Sequence, residues 1–461
     1  MVKRDRHARQ TRVRRLKQIP IRIGLLSLGC PKTLVDSENI LAKFPSPRFS
    51  IVPSIVDCDV ALLNTCAFIQ EAQQESVDRI LDLLELKKEG RIRALVVIGC
   101  LVQRFSKELR TELKDHVDAF VGSGEYEKIP SVVDYVLEGR KVFSVGLPGY
   151  LATSGEGRVP LTPPHYRYLK ISEGCDHLCS FCTIPTFRGK HRSREIGDIV
   201  DESKRLIEEG AKELILTGQD TTAFGRDREG KDLLPDLLLE LDKISGVKWI
   251  RLLYAYPTCV SERLMEVMQD SKHICHYLDL PLQHISDRIL RAMKRGITKR
   301  RTVEIIERFR ERIPDLTVRT SFIVGFPGET DRDFQELLDF MEAMKFERLG
   351  IFTYSREKGA PAARMPHQVP ERIKQKRLEK AMLLQQKISR ENNQRMIGQT
   401  IEVLVEERDD KNPFLWIGRS QMDAPEVDGN VFVHSSRKLR ISDFYPVKIT
   451  SVKDYDLVGQ F

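Results

Sequence analysis

The sequence predicts an α/β protein with three folded parts: an N-terminal doubly wound parallel sheet, a central open (β/α)6 partial TIM barrel and a small C-terminal antiparallel β-barrel. Three observations predict it. Apolar strands alternate with amphipathic helices in two successive series, which is typical of parallel sheets. A Gly- and Pro-rich stretch separates the series, and the chain ends in short alternating runs. The predicted boundaries are a basic tail at 1–19, a first domain at 20–138, a linker at 139–160, a barrel at 161–393 and a terminal domain at 394–461.

The first series contains three predicted strands, each followed by a helix. Each strand is a nearly continuous apolar run, as expected for strands that are buried on both faces of a parallel sheet. The strands are 21–28, 59–64 and 93–98, and the helices are 36–43, 71–87 and one that begins near residue 105.

The second series predicts six strand–helix units, which is three-quarters of an eight-fold barrel. Its strands are 167–172, 212–217, 249–254, 276–281, 317–324 and 348–353, and its helices include 196–209, 301–313, 331–344 and 370–393. Alternating runs at 400–405, 430–434 and 445–449 are separated by turn residues. They predict the small terminal barrel.

The charge of the chain is concentrated at its start. The net charge is +8, and +7 of it comes from the first 20 residues, which hold eight Lys or Arg and one Asp. This tail has no apolar core or cleavage site, so no secretory signal is predicted. An organellar transit peptide stays open beside the simpler interpretation of a flexible basic arm. No apolar run approaches the ~20 residues of a membrane span, so a cytoplasmic location without membrane contact is expected.

Three cysteines lie in one loop directly after the first predicted barrel strand. Cys175, Cys179 and Cys182 are separated by three and two residues. Thiolates are the usual ligands of iron–sulfur clusters, which normally take four, so three would leave one iron open to bind a substrate. The position agrees with the strand-end loops that carry catalytic groups in barrels. A zinc loop, or a fourth ligand from His177 or Cys259, is the alternative that the spacing does not exclude.

A second set of three cysteines follows the three strands of the first part. Cys30, Cys66 and Cys100 each come directly after a predicted strand. The carboxyl ends of parallel strands meet at one edge of the sheet, so we expect these thiols to converge. The adjoining Gly29 and Gly99 would let the backbone approach a bulky cluster closely. Small buried Cys also fills strand ends without further function, and the other three of the nine cysteines are interpreted in that way.

The first of these loops resembles a known signature. Cys175, Cys179 and Cys182, with the aromatic Phe181 before the last cysteine, resemble the cluster loop of the radical S-adenosylmethionine (SAM) superfamily. The resemblance implies a 4Fe-4S cluster whose open iron chelates SAM, and reductive cleavage of SAM to a 5′-deoxyadenosyl radical. It also implies a reducing electron donor of the flavodoxin or ferredoxin kind. The protein's own part is to orient the reactants and to exclude side reactions.

The whole chain after residue 20 resembles the methylthiotransferases. This family joins an N-terminal domain that holds an auxiliary 4Fe-4S cluster, a radical SAM core and a C-terminal TRAM domain. The resemblance implies two 4Fe-4S clusters, one at each set of cysteines, with sulfur supplied from the auxiliary cluster and the methyl group from a second SAM. The alternative of another class is a non-catalytic iron–sulfur protein that binds ribosomes or carries electrons.

Two subfamilies of methylthiotransferases differ in substrate. One modifies adenosine in transfer RNA, and the other modifies the β-carbon of an aspartyl residue in small-subunit ribosomal protein number twelve. Segments 27–38 (SLGCPKTLVDSE), 219–222 (QDTT), 281–286 (PLQHIS) and 423–429 (DAPEVDG) resemble the second type. The sequence departs from that pattern at Thr33, Phe224 and Ala360. The implied partner is the ribosomal protein or the small ribosomal subunit, and direct binding of transfer RNA is not expected.

The charge of the terminal barrel favours a protein partner. Residues 394–461 contain nine Lys or Arg and eleven Asp or Glu. A module that binds RNA is usually basic, whereas a slightly acidic module suits a basic protein. A solvated surface with no relation to a partner is the alternative.

Further assignments concern the pockets for SAM and substrate. In related barrels the second strand end contacts the methionyl group of the cofactor, and the fifth strand end lies near the adenosine. The residues so assigned to SAM are Phe181, Thr217, Gly218, Gln219, Ser321, Gly325 and Glu329. Turns of Gly and Pro also occur without a ligand. Candidates for the substrate pocket, with a core role as the alternative, are His284, Arg319 and Tyr354.

Overall fold

The computed structural model describes residues 19–461, and the basic tail predicted at 1–19 lies outside this range except for its last residue. Two six-stranded parallel sheets and one closed five-stranded barrel follow one another along the chain. The predicted fold class is therefore confirmed. In the described part of the chain, no helix combines the length and the apolarity needed to cross a membrane.

The first unit is a parallel sheet in the order β2-β1-β3-β4-β5-β6. Its strands are β1 (Ile21–Ser27), β2 (Phe49–Ile51), β3 (Val60–Thr65), β4 (Ala94–Gly99), β5 (Ala119–Gly122) and β6 (Val142–Ser144). Its helices are α1 (Pro31–Ala42), α2 (Gln70–Lys88), α3 (Cys100–Arg104), α4 (Ser106–Leu113) and α5 (Ile129–Leu137). The predicted strands are β1, β3 and β4. The flanking strands have only three or four residues, which is too short for a clear period. Strand β6 pairs with β5 inside the segment predicted as linker.

At two strand ends of this unit, helical structure begins closer to the sheet than predicted. Helix α1 begins at Pro31 rather than Asp36. Proline at the first helical position favours such a start because its φ is already helical. The helix predicted near residue 105 is present as α4, and a short helix that was not predicted, α3, precedes it from Cys100. Two of the predicted ligand cysteines therefore lie directly at strand–helix junctions.

The second unit is an open parallel sheet whose strands follow chain order. All six predicted strands are present: β7 (Tyr166–Lys170), β10 (Glu213–Thr217), β11 (Trp249–Leu252), β12 (Ile274–Asp279), β13 (Thr317–Val324) and β14 (Arg348–Thr353). A two-stranded pair, β8 (Ser172–Glu173) and β9 (Arg192–Ser193), brackets the cysteine loop. The helices are α6 (Ile184–Arg188), α7 (Ile196–Glu208), α8 (Arg226–Glu229), α9 (Leu234–Asp242), α10 (Glu262–Asp270), α11 (Asp287–Ala292), α12 (Lys299–Arg312), α13 (Asp331–Met344) and α14 (Glu371–Gln394).

The two faces of this sheet differ in chemistry because successive side chains of a strand point to opposite faces. One face is apolar and joins the helices in one large core, for example through Leu216 and Ile250. The other face carries charged residues that are fully buried, among them Glu213 and Arg251. Burying a charge without a partner is costly, so this face requires ion pairs from other parts of the chain.

The third unit supplies several of those partners. Its strands are β15 (Thr400–Arg408), β16 (Leu415–Arg419), β17 (Val431–His434), β18 (Phe444–Val452) and β19 (Leu457–Gln460), closed in the order β15-β16-β17-β19-β18. The segment after β16 reaches the charged face of the central sheet. There Arg348 donates to Asp423 at 2.6 Å, and Arg419 donates to Glu213 at 2.7 Å.

Candidate functional site

Cys30, Cys66 and Cys100 converge at the carboxyl edge of the first sheet. They follow β1, β3 and β4, which are neighbours in the sheet and run in parallel register. The three thiols are close enough to influence one another, since Cys30 and Cys66 both raise the pKa of Cys100. The topology of the sheet therefore brings together three cysteines that are each more than 30 residues from the next along the chain.

Packing within the chain explains why glycine is needed at positions 29 and 99. The sequence suggested instead that these glycines let the backbone approach a cluster. Their φ values are +96° and +98°, and residues that carry a side chain rarely adopt such a backbone conformation. A Cβ on Gly29 would lie 2.8 Å from the Cβ of Cys66, and one on Gly99 would lie 2.3 Å from the Oδ1 of Asn64. Both glycines are thus required by close packing against the end of β3, whether or not a cluster is bound.

The second set of cysteines is held by backbone contacts of its own loop. The Cys175 N–H donates to the Gly189 carbonyl at 3.1 Å, and the Cys182 N–H donates to the Cys179 carbonyl at 3.1 Å. The imidazole of His177 points elsewhere, because its Nε2 lies 2.6 Å from Asp220 Oδ2. Its ring also stacks on Tyr256 at 3.5 Å between centroids. These contacts support packing rather than ligation as the role of His177.

Donor spacing separates a single metal ion from a cluster. A tetrahedral zinc ion about 2.3 Å from each sulfur would hold its thiolates roughly 3.8 Å apart. Among residues 19–461, the one group of three potential ligands whose donor atoms all lie within 4.8 Å of one another is His177, Asp220 and Cys259. Neither cysteine triad is that compact, so the triads fit a multi-iron cluster better than a zinc ion.

The buried thiols need a metal to become thiolates. Burial raises the pKa of Cys100, of Cys175 and of Cys182 to about 12 in each case, so they stay protonated at neutral pH unless a metal binds, since coordination deprotonates a thiol. Cys30 differs. Burial raises its pKa, but Lys32 is the strongest of several neighbours that together lower it below the ordinary value.

A buried network of charges joins the two sets of cysteines. Arg188 at the end of α6 donates Nη2 to the Cys100 Sγ at 3.0 Å, and its Nη1 donates to Asp36 at 2.9 Å and Glu173 at 3.1 Å. Lys170 donates to Glu173 at 2.7 Å and also contacts Asp36. Burial would raise the pKa of Glu173, but Lys170 and Arg188 hold it near 2, so the carboxylate stays charged.

Gln219 connects this network to the cysteine loop. Its Nε2 donates to Glu173 Oε1 at 2.6 Å, and its Oε1 accepts the N–H of Gly174 at 2.9 Å, next to Cys175. The side chain assigned to SAM from the sequence therefore fixes the entry to the loop.

Two hydroxyls beside Gln219 fit a polar ligand. The Oγ1 of Thr217 and the Oγ of Ser172 are buried and have no hydrogen-bond partner in the described chain. A Cβ on Gly218 would lie 2.6 Å from Ser172 Oγ, so the strand end has no room for a side chain. Buried polar groups are normally satisfied, and these two could donate to a bound cofactor.

The assigned residues of the fifth strand end do not all face the cleft. Glu329 accepts the N–H of Gly325 at 2.6 Å and pairs with Arg377 at 3.0 Å, so it stabilises its own loop. Ser321 is half-buried on β13. Phe181 packs beside Cys179 and links two small apolar clusters.

The three candidates for the substrate pocket are engaged within the protein. His284 is fully buried and lies 3.8 Å from Glu329, and Tyr354 is 2% exposed. Arg319 pairs with Asp279 at 2.9 Å and with Asp428 of the terminal barrel at 3.4 Å. The ion pairs favour the core role for Arg319. The His284 Nε2 and the Tyr354 hydroxyl are buried without a hydrogen-bond partner among the described residues, so both roles stay open for these two.

The acidic excess of the terminal barrel is used inside the chain. Glu406, Asp423 and Asp428 pair with His165, Arg348 and Arg319 of the central unit, while Arg419 pairs with Glu213. Without these four, residues 394–461 hold eight acidic and eight basic side chains. The acidic excess is therefore used in ion pairs within the chain, and the charge count does not by itself favour a basic protein partner.

The charged network was not predicted from the sequence. Its members come from segments more than 130 residues apart, as in the contact of Lys170 with Asp36. One signal was available, since Lys170 lies inside a segment predicted to be a buried strand, and a buried lysine requires a partner.

Three family models match consecutive parts of the chain. They are the "Uncharacterized protein family UPF0004" at residues 22–122, the "Radical SAM superfamily" at 169–341 and the "TRAM domain" at 397–461. The first two cover the two sets of cysteines. This combination implies SAM and iron–sulfur chemistry.

Curated relatives extend the match to nearly the full length. Ribosomal protein uS12 methylthiotransferase RimO of Desulforamulus reducens is 48% identical over 95% of this chain and 99% of its own. The chain belongs to the RimO family of radical SAM methylthiotransferases. RimO of Pelotomaculum thermopropionicum is 48% identical over 95% of this chain and 99% of its own, and RimO of Geobacter sulfurreducens is 43% identical over 95% and 98%.

Solved structures support the fold of this RimO family member. The radical SAM methyltransferase TsrM from Kitasatospora setae, with cobalamin and a [4Fe-4S] cluster bound, superposes with a TM-score of 0.55 at 14% identity. The match covers 74% of this chain and 77% of TsrM. At this identity the likeness concerns the fold alone.

Proposed function

We propose that this chain inserts sulfur and a methyl group at the β-carbon of an aspartyl residue of ribosomal protein uS12. Two 4Fe-4S clusters would be held, one by Cys30, Cys66 and Cys100 and the other by Cys175, Cys179 and Cys182. When bound, the clusters would pass on the electron of an external reductant and supply the sulfur, and SAM would supply the radical and the methyl group. The named substrate of the relatives supports uS12 or the small ribosomal subunit as the partner. The proposed domains follow the predicted boundaries, except that the first domain continues through β6 to Ser144.

One observation carries the proposal. Arg188 lies six residues after Cys182 of the second triad and donates to Cys100 of the first at 3.0 Å. A transfer that activates a carbon at one site and takes sulfur from another requires both sites to face one substrate. The contact supports that arrangement.

The chain's own residues orient and enclose the reactants. Gln219 and Glu173 hold the start of the cysteine loop, and Thr217 and Ser172 offer hydroxyl groups to SAM at the strand ends. The loop after β14 closes against the first unit, where Arg104 pairs with Glu357 at 2.9 Å. Such closure excludes water from reactive species.

Anaerobic reconstitution followed by mass spectrometry tests the proposal. We expect about eight irons per chain, if each triad holds a four-iron cluster, and methylthio product on uS12 when SAM and a reductant are supplied. Isolated uS12, small ribosomal subunits and bulk transfer RNA are offered as separate substrates. A methylthio group found on transfer RNA alone would replace uS12 by the substrate of the other subfamily. About four irons, or no 5′-deoxyadenosine, would refute the two-cluster enzyme.

A further inference from the structure

We propose that Lys32 binds the carboxylate of the aspartyl side chain that this enzyme modifies. The inference rests on the proposed function and adds a specificity-determining residue to it. Lys32 lies two residues after Cys30, in the first turn of α1. Its side chain reaches the mouth of the central barrel, where its Nζ lies 3.3 Å from the ring centroid of Tyr254. The ammonium therefore stands between the Cys30 end of the first unit and the end of β11 in the barrel.

One face of α1 enters the barrel. Lys32, Val35, Asp36 and Asn39 recur at helical spacing and are all less than 10% exposed. Asp36 meets Lys170 and Arg188, and Val35 packs among apolar side chains of β7 and β11. The helix thus fixes the position of the Lys32 backbone against the barrel, and the long side chain extends from a rigid base.

Within the described chain, Lys32 lacks the acidic partners that Arg188, Lys170 and Arg319 have. Across the described residues, no carboxylate oxygen lies within 4.0 Å of its Nζ, whereas Arg188, Lys170 and Arg319 each have two such partners. Contact with an aromatic ring attracts a cation but does not neutralise it. A buried ammonium is costly without nearby negative charge. Apart from Cys30, whose thiolate Lys32 favours, no acidic side chain of the described residues contacts it, so the site favours an anion from outside the chain.

The neighbouring carboxylates are already committed. Glu173 is shared by Lys170, Arg188 and Gln219. Asp279 accepts from Arg319 at 2.9 Å and from the Tyr254 N–H at 2.9 Å. Turning to Lys32 would break ion pairs and hydrogen bonds that each of these carboxylates already makes, so neither is free to neutralise the ammonium.

Tyr254 carries the strain that is typical of binding sites. Its φ is +61°, which is unusual for a residue with a side chain. The backbone is held there by the Asp279 bond and by the Thr221 N–H, which donates to its carbonyl at 3.1 Å. Persistent strain of this kind is concentrated at functional sites. Here it holds the phenol ring under Lys32 and keeps the ammonium at the barrel mouth.

The test compares binding of two peptides of uS12, one with the target aspartyl residue and one with asparagine in its place. Lys32→Met removes the charge at similar volume, and Lys32→Arg keeps the charge. Lys88→Met is the matched control, because Lys88 lies on the surface of α2 with 79% of its side chain exposed. All proteins are reconstituted with iron and sulfide, and the auxiliary-site reduction potential is recorded for each.

We expect Lys32→Met to raise the KM for the aspartyl peptide about 10- to 100-fold, the range given by one charge-assisted hydrogen bond. With Lys32→Met, the KM for the asparaginyl peptide should no longer exceed the KM for the aspartyl peptide. Lys32→Arg should restore most of the binding, and Lys88→Met should match the wild type. The iron content and the 5′-deoxyadenosine formed without peptide are measured for every variant, so that KM is compared among proteins with equal cluster loading.

Other results overturn the inference. An unchanged KM, an equal loss for both peptides, or a shift of the auxiliary potential without a change in KM would each assign Lys32 to another role. If the variants fail to load iron, the two peptides are still compared on the wild-type enzyme. Equal binding of the aspartyl and asparaginyl peptides would exclude a site for the carboxylate. Absence of methylthio product with wild-type enzyme would instead refute the proposed function.

Discussion

The two cysteine sites are built on opposite principles. Cys175, Cys179 and Cys182 lie within eight residues of one loop, while Cys30, Cys66 and Cys100 come from three strand ends spread over 71 residues. The loop site depends on local backbone bonds, and the dispersed site depends on the whole first sheet. Their charged neighbours differ as well. Arg188 at Cys100 is paired with two carboxylates, whereas Arg295 donates to Cys179 at 3.5 Å and to a backbone carbonyl.

The largest effect is expected at the loop site. Cys175→Ala removes one of three protein ligands and leaves the cluster iron exposed, so 5′-deoxyadenosine formation should fall by at least about 1,000-fold, beyond the ~4 kcal/mol that a lost catalytic contact costs. Product assay and iron analysis measure it. Cys275→Ala, at a buried cysteine of β12, should retain cleavage. Cleavage in the Cys175 variant above a tenth of the wild-type rate would remove this loop from the reaction.

Loss of a dispersed ligand should separate the two half-reactions. Cys66→Ala should retain cleavage of SAM within about two- to threefold, because the loop site does not depend on the first sheet for its ligands. Methylthio product should fall below detection, and the iron content should drop by about half if one four-iron cluster is lost. Cys58→Ala is the matched control, since Cys58 is buried in the same unit and only donates to the Ile55 carbonyl. Retained product would refute the sulfur-donor role.

The comparison also explains what the sequence could reveal. Ligands at the loop site follow from spacing, and those of the dispersed site follow from strand ends, because both are local patterns placed on a regular topology. Arg188 could not be predicted as a partner of Cys100, since 88 residues separate them and no local pattern records the contact. The same holds for the ion pair of Asp423 with Arg348, since the two residues are 75 positions apart and no local pattern indicates their contact. Fold class was predictable, and long-range charge pairing was not.

The two arginines give a matched test of how independent the sites are. Arg188→Gln should lower the reduction potential of the dispersed site by roughly 60 to 120 mV, the equivalent of one charge-assisted hydrogen bond for a one-electron couple. Arg295→Gln should do the same at the loop site only. Potentiometric titration followed by electron paramagnetic resonance distinguishes the two. Arg188→Lys, which keeps the charge, should recover part of the shift. If either variant shifts both potentials equally, the sites are coupled as one unit.

The smallest expected effect concerns the helix start that supports Cys30. The hydroxyl of Thr33 accepts the Cys30 N–H at 2.9 Å and donates to the Cys30 carbonyl at 2.7 Å. Thr33→Val removes both bonds, which is worth about 1 kcal/mol, so iron should leave the dispersed site about fivefold faster in a chelator assay. Thr186→Val is the control, because Thr186 makes a similar bond at 2.7 Å beside the loop site. Thr186→Val should accelerate the loss of iron from the loop site only. Thr33→Asn keeps a capping side chain and should behave as the wild type. Equal rates for all three variants would show that the ligand position is set by the sheet alone.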